Sequence, residues 1–524
     1  MAQQQVQGVA GLKKHDIKVS GIVFMLYCLV AAGAFGIEEM IPEAGPGMTL
    51  ILLIIFPIIW AYPISNMVAE CGSVLPSEGG VYVWVKEAFG EFWGFQAGWW
   101  GTVSTYITNG VYVALVAGYV SRMIPMSEVA IHVLKIGMIL IFTIINLLGL
   151  KEVGKVSTIL SILIVLAFAL VALVGFLNWN TNPMDPIMPE GYSLIDGVGG
   201  GICICVWMYC GYECISNMAG EVKNPQVIPK GLLIAMPLVA LTYVLPTLGG
   251  LASLPAGTWE NWSTDGGFTG ETVGYATVLT ANLGPAWGYI FLVVAIVTLI
   301  LAQKDFTTLV SMEVVFMLAL YIILPLAVIK LRKKLPVEER RKRDLFIMPG
   351  GRAGLIFYCG FPIAIAVIAL LINGTDYFVM GLLATASGPV AYVIVKAVYG
   401  GLSKNDPEHY PLNTRTRLAV GDTVRIGAYL IIAGAFGFLG QFWLRWYEID
   451  YGEWGTDDYD MMGDIIPQVL DILKWAGLAA LAVGIIVAAI GWKKDRPAPE
   501  VRPDIDALLD KYLNEEKRES FFDD

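Results

Sequence analysis

The chain has 524 residues, 56% of them hydrophobic and only 15% charged, with a mean hydropathy of +0.66. Soluble domains run near 25% charged, so a soluble globule is excluded and most of the chain belongs in a lipid bilayer. The net charge of −11 implies no nucleic-acid partner, because charges in such a protein act according to the side on which they lie.

Residues 1–18 are polar, carry Lys13, Lys14 and Lys18, and read as a cytoplasmic N-terminus with no cleavable leader. Apolar runs long enough to cross ~30 Å of hydrocarbon follow at 19–40, 49–69, 95–121, 128–149, 157–177, 197–219, 231–253, 286–303, 307–329, 354–373, 377–398, 424–445 and 467–491. Barrel strands would alternate and be about half as long, so the runs are expected to be helices. The segments divide into a core at 19–398, a cytoplasmic loop at 399–423, two further spans at 424–491 and a cytoplasmic tail at 492–524. In that tail Ile505, Leu508, Leu509, Tyr512 and Leu513 share one face of an amphipathic helix.

Lysine and arginine in short loops mark the cytoplasmic side. Lys86, Lys151, Lys155, Lys223 and Lys230 fall on alternate loops, and 330–352 holds Lys330, Arg332, Lys333, Lys334, Arg340, Arg341, Lys342 and Arg343. Seven crossings from a cytoplasmic start end outside, and only two apolar runs remain before this basic loop. One crossing is therefore unaccounted for near residue 303. The opposite loops are acidic, with Glu260, Asp265 and Glu271 on one and Glu448, Asp450, Glu453, Asp457, Asp458, Asp460 and Asp464 on another. Solubility and topology explain them, and so does a field that gathers cationic substrates.

Two spans are interrupted. Ala31-Ala-Gly-Ala-Phe-Gly-Ile-Glu-Glu39 places Gly33 and Gly36 within the first. A break there frees N–H groups that can hold a carboxylate, whereas in an unbroken helix small residues merely permit close packing. The sixth span runs Trp207-Met-Tyr-Cys-Gly-Tyr-Glu213, with Gly211 at a point where carbonyls can open towards an ammonium group and Trp207 offers an aromatic face. Glu213 is an ionisable side chain at membrane depth, which marks a functional position; burial disfavours its charged form, so it is a gating or coupling candidate, with a structural carboxylate as the alternative. Cys203, Cys205, Cys210 and Cys214 read as small packing residues, and neither a metal site, a cofactor nor a catalytic group is expected.

Ala69 and Glu70, Pro76, Gly79 and Gly80, Tyr82, Trp84 and Val85, and Ala88-Phe89-Gly90 follow the second span. Position by position this block resembles that of the amino acid–polyamine–organocation superfamily. Gly220-Glu-Val-Lys-Asn-Pro225 and Phe35-Gly-Ile-Glu-Glu39 are most similar to its polyamine and L-type amino acid branch. The resemblance implies an all-α integral membrane protein of two inverted five-helix repeats, with helices one and six broken and additional C-terminal spans, 12–14 in total. It implies a carboxylate site at Ala32, Gly33 and Ala34 beside Phe35, and an amine site at the carbonyls of Trp207, Met208 and Tyr209 beside Gly211. Asn109 on the third span would lie nearby. Proton-coupled bacterial members carry a fifth-span lysine; residues 156–177 here hold none.

The expected function is secondary transport of amino acids or polyamines by exchange or symport at the plasma membrane, with cationic substrates weakly preferred and a proton or exchange substrate as coupling partner. Neutral amino acid transport and a non-transporting amino acid sensor on the same fold are the alternatives.

Overall fold

Hydrocarbon offers backbone groups no partner, so spanning segments bond internally as helices. The computed structural model describes residues 17–77, 79–124, 126–148, 153–218, 222, 227–263, 273–300, 307–343, 345–405, 407, 410–451 and 463–497. These are nearly all helical, and ten helices among them are long and apolar enough to cross a membrane. In order the helices are Val19–Ala31 (α1), Ile37–Ala44 (α2), Pro46–Phe56 (α3), Tyr62–Val74 (α4), Gly80–Phe89 (α5), Glu91–Met123 (α6), Glu128–Leu148 (α7), Val153–Leu177 (α8), Leu194–Met208 (α9), Val227–Ser253 (α10), Tyr275–Leu283 (α11) and Pro285–Ile300 (α12). Then come Thr307–Lys334 (α13), Val337–Lys342 (α14), Gly351–Ile372 (α15), Gly374–Tyr399 (α16), Leu402–Asn405 (α17), Asp422–Arg445 (α18) and Ile466–Lys494 (α19).

Spans one and six are broken, as expected. A tight 3₁₀ turn, Ala32–Gly36, joins α1 to α2. Helix α9 starts at a capping box, in which the Ser193 hydroxyl accepts from Ile195 N and Asp196 accepts from Ser193 N. It ends at Met208, and Gly211 at φ +99° turns the chain into a second 3₁₀ segment, Tyr212–Met218. That left-handed backbone is why glycine stands there. A third interruption has no counterpart in the expectations: Pro57–Ala61 is a π turn between α3 and α4, next to Pro57 and Pro63, which lack the N–H of a regular helix.

The block after span two is not an open loop. It folds as α5, whose Trp84 ring N–H donates to the Leu75 carbonyl at 3.0 Å. The fully buried Glu70 of α4 accepts from Arg332 Nε and Nη2 at 2.6 and 2.5 Å, from Arg340 Nη1 at 2.5 Å and from Met348 N at 2.8 Å. Burial draws the Arg340 guanidinium below its usual range while Glu70 pulls it back up. This node pins the basic 330–352 segment to the face that carries α5, as the charge rule requires. Lys396 Nζ meets Glu91 at 2.5 Å and puts the start of the 400–421 loop on the same basic face.

Helix α12 follows α11 and packs beside it, and α13 ends at Lys334, whose Nζ donates to the Glu87 carbonyl of α5 at 2.7 Å. The connection at 301–306, with the expected missing crossing, lies outside the described residues, as does the predicted amphipathic helix of the tail. Glu448, expected in the acidic surface field, is instead buried and accepts from Thr375 N at 2.5 Å in the first turn of α16. A carboxylate is stabilised at a helix N-terminus. Most of its predicted acidic neighbours, 452–462, lie outside the described residues.

Helices α18 and α19 form a hairpin held by glycines seven apart, Gly427 and Gly434 against Gly477, Gly484 and Gly491. A Cβ on Gly434 would sit 2.5 Å from Leu481 N and 2.7 Å from the Gly477 carbonyl oxygen. Both obstacles are backbone, so the helices are as close as small residues permit. Gly434→Leu should destabilise the hairpin by about 1–3 kcal/mol through overpacking. Thermal unfolding of the purified protein in detergent checks this, and an unchanged midpoint contradicts the close-contact account.

Candidate functional site

The two breaks meet at one side chain. Tyr243, on α10, donates its hydroxyl to the Val30 carbonyl at 2.6 Å and lies 2.9 Å from the Met208 carbonyl oxygen. Val30 is in the last turn of α1 and Met208 ends α9, so these are carbonyls a continuous helix would have paired. One hydroxyl carries one proton and serves one acceptor at a time. The pair of carbonyls therefore has room for a second donor. The Tyr243 ring stands edge-on to Tyr209 with centroids 5.0 Å apart, and the Tyr209 hydroxyl donates to the Leu53 carbonyl at 3.0 Å. Tyr209 and Tyr243 are both fully buried, so this hydroxyl pair is fixed by packing on every side.

Within the first break, Ala34 and Phe35 are fully buried. The Phe35 ring packs against Phe168 at 4.9 Å and against Phe291 and Tyr119 at 6.1 Å each, which closes an aromatic wall over the turn. The Tyr119 hydroxyl lies 3.0 Å from the Phe35 carbonyl oxygen and 2.9 Å from Glu38 Oε2. Glu38 Oε1 accepts from Tyr275 N, the first residue of α11, at 2.6 Å. Next to it, Glu39 accepts from the Ser263 hydroxyl at 3.1 Å. Helix α2 is thus tied by two carboxylates to Ser263 and to the first residue of α11.

Each expected site residue can now be placed. Ala32 and Gly33 lie in the turn, with their backbone described but not their surroundings. Asn109 lies on α6, and its side chain is outside what the structure describes. Trp207 and Met208 are buried at the end of α9. Of the three nominated carbonyls, that of Trp207 already accepts from Cys210 N at 3.2 Å and Cys210 Sγ at 2.7 Å, and that of Met208 faces Tyr243. Glu213 is buried in the second 3₁₀ segment and accepts from the Tyr321 hydroxyl of α13 at 2.8 Å. Cys205 packs against Met40, with its Sγ 3.7 Å from the sulfur, as a small core residue.

Four residues were missed: Glu38, Tyr119, Tyr243 and Tyr321. The rule that singled out Glu213 also applies to Glu38, an ionisable group within a span. A tyrosine in an apolar run carries no such signal, because its ring suits the run and its hydroxyl finds a partner only in the folded state.

Ten helices long and apolar enough to cross a bilayer, two of them interrupted and meeting at one side chain, fit an integral membrane protein. A family model described as amino acid permease matches residues 18–297, and the chain belongs to that family. Over 284 residues the chain is 30% identical to a probable polyamine transporter of Arabidopsis thaliana, covering 52% of this chain and 53% of that protein. A polyamine transporter of Oryza sativa subsp. japonica is 29% identical over 284 residues, covering 52% and 49%. A serine/threonine exchanger of Bacillus subtilis (strain 168) is 24% identical over 183 residues, covering 34% and 40%. The chain spans about half the length of the curated relatives it matches first.

Proposed function

We propose that the chain is a secondary active transporter of amino acids or polyamines that exchanges or symports its substrate by alternating access. The observation that supports this reading most is the Tyr243 hydroxyl between the Val30 and Met208 carbonyls, which joins the breaks of spans one and six at one point. In this reading an ammonium group supplies the second donor those carbonyls accept. An amino acid carboxylate takes the N–H groups freed at Ala32, Gly33 and Ala34. Phe35, Trp207, Tyr209 and Asn109 surround the substrate, and Gly211 lets the sixth span open. Glu213, hydrogen-bonded to α13, is the gate or coupling group, with a proton or an exchange substrate as its partner.

Cationic substrates are favoured by the buried carboxylates Glu38 and Glu213 near the breaks and by what the plant relatives' names say of those proteins. A neutral amino acid fits the backbone groups equally well, and the named exchanger relative supports it. The proposed setting is the plasma membrane, with both termini cytoplasmic.

Counterflow into liposomes carrying the purified protein, screened over amino acids and polyamines, tests the reading. Saturable, substrate-dependent uptake is expected; silence across the panel would favour a sensor. Glu213→Gln is expected to flatten the pH dependence of uptake while the protein still inserts. A pH profile identical to that of the unaltered protein would remove Glu213 from coupling.

A further inference from the structure

On the basic face, where α13 ends and α15 begins, lies an open cavity of about 630 Å³. Arg332, Arg341 and Arg352 line it together with Val337, Ile347 and Leu355, and among the described residues Glu338 is the only carboxylate in the lining. Arg332 already shares Glu70 with Arg340. Arg341 and Arg352 have no carboxylate partner among the described residues. Four guanidinium groups in and beneath the cavity thus face two carboxylates, a local excess of positive charge that nothing in the described chain neutralises.

We infer that this cavity binds the phosphate headgroup of an anionic glycerophospholipid. Three features support that chemistry. Guanidinium forks match phosphate oxygens in pairs. The cavity also contains the start of the 22-residue helix α15, where Gly350 and Gly351 take φ of +86° and +58°; free N–H groups at such a start favour anions. The third feature selects a lipid over a soluble phosphate. Val337, Ile347 and Leu355 give the cavity an apolar side, and α15, long and apolar enough to cross a membrane, leaves it with Ile356 74% exposed on its outer surface. The rim therefore stands where headgroups meet acyl chains, and basic pockets between helices at this level hold acidic lipid heads. The inference requires only that the chain is embedded in a membrane, and it stands whatever the substrate is.

Native mass spectrometry of the full chain in detergent, titrated with phosphatidylglycerol or with phosphatidylcholine of the same acyl chains, tests it. Phosphatidylglycerol should bind at least tenfold more tightly than phosphatidylcholine. Arg341→Gln/Arg352→Gln should abolish that preference. Glu338→Gln should strengthen it several-fold, and it decides the matter if the double variant fails to fold. Equal retention of both lipids, or an unchanged preference in the variants, overturns the inference. Displacement of the lipid by glycerol 3-phosphate at comparable concentration overturns it too, because the cavity would then be a soluble-phosphate site.

Discussion

Glu70→Ala is expected to cost about 3–5 kcal/mol of stability, the usual consequence of removing one partner from a buried ion pair. Glu70 is fully buried and satisfies four donors, three from Arg332 and Arg340 and one from the Met348 backbone. Without the carboxylate, Arg340, itself 2% exposed, keeps its charge inside the protein with, among the described residues, only the Leu335 carbonyl at 2.9 Å to accept from it. Glu70→Gln keeps the shape but turns an amide N–H₂ towards a guanidinium, so it should recover only part of the loss. Denaturation in detergent measures the change, and a cost below about 1 kcal/mol would show that the node is not the anchor of the 330–352 segment. A second readout is local. Cys71, 3% exposed beside Glu70, should become reactive to maleimide in the alanine variant as the segment lifts away.

Tyr243→Phe is expected to slow transport about 10- to 100-fold without unfolding the protein. The ring that packs on Tyr209 is retained, and only the hydroxyl that serves the Val30 and Met208 carbonyls is lost. Leaving buried acceptors unsatisfied costs about 1–3 kcal/mol, and each 1.4 kcal/mol is tenfold. Counterflow rate and substrate affinity should be measured together. Weaker binding at unchanged rate places the hydroxyl in substrate recognition, and a slower rate at unchanged affinity places it in holding the two breaks together. Uptake equal to that of the unaltered protein would remove Tyr243 from the site and weaken the proposed transport geometry.

Much of the architecture is legible in the residues alone. Ten apolar segments long enough to cross a membrane, the turns at Ala32–Gly36 and Gly211, and the approach of Arg332 and Arg340 to Glu70 all appear in the structure, and the first two depend on local quantities. Hydrophobic length decides what crosses, glycine decides where a helix can turn left-handed, and clustered cations decide which ends lie together. The misreadings have a common origin in partners distant along the chain. The segment after Glu70 looked like a loop, yet Trp84 and Val85 are fully buried and it folds as α5. Glu448 looked like surface charge, yet it serves the start of α16. Tyr243 looked like one more apolar residue, although its hydroxyl reaches carbonyls 213 and 35 positions away. Composition and periodicity settle what each segment prefers as a solvent. Which polar group answers which is decided only when the segments pack, since a buried donor or acceptor must find its partner wherever the fold brings one.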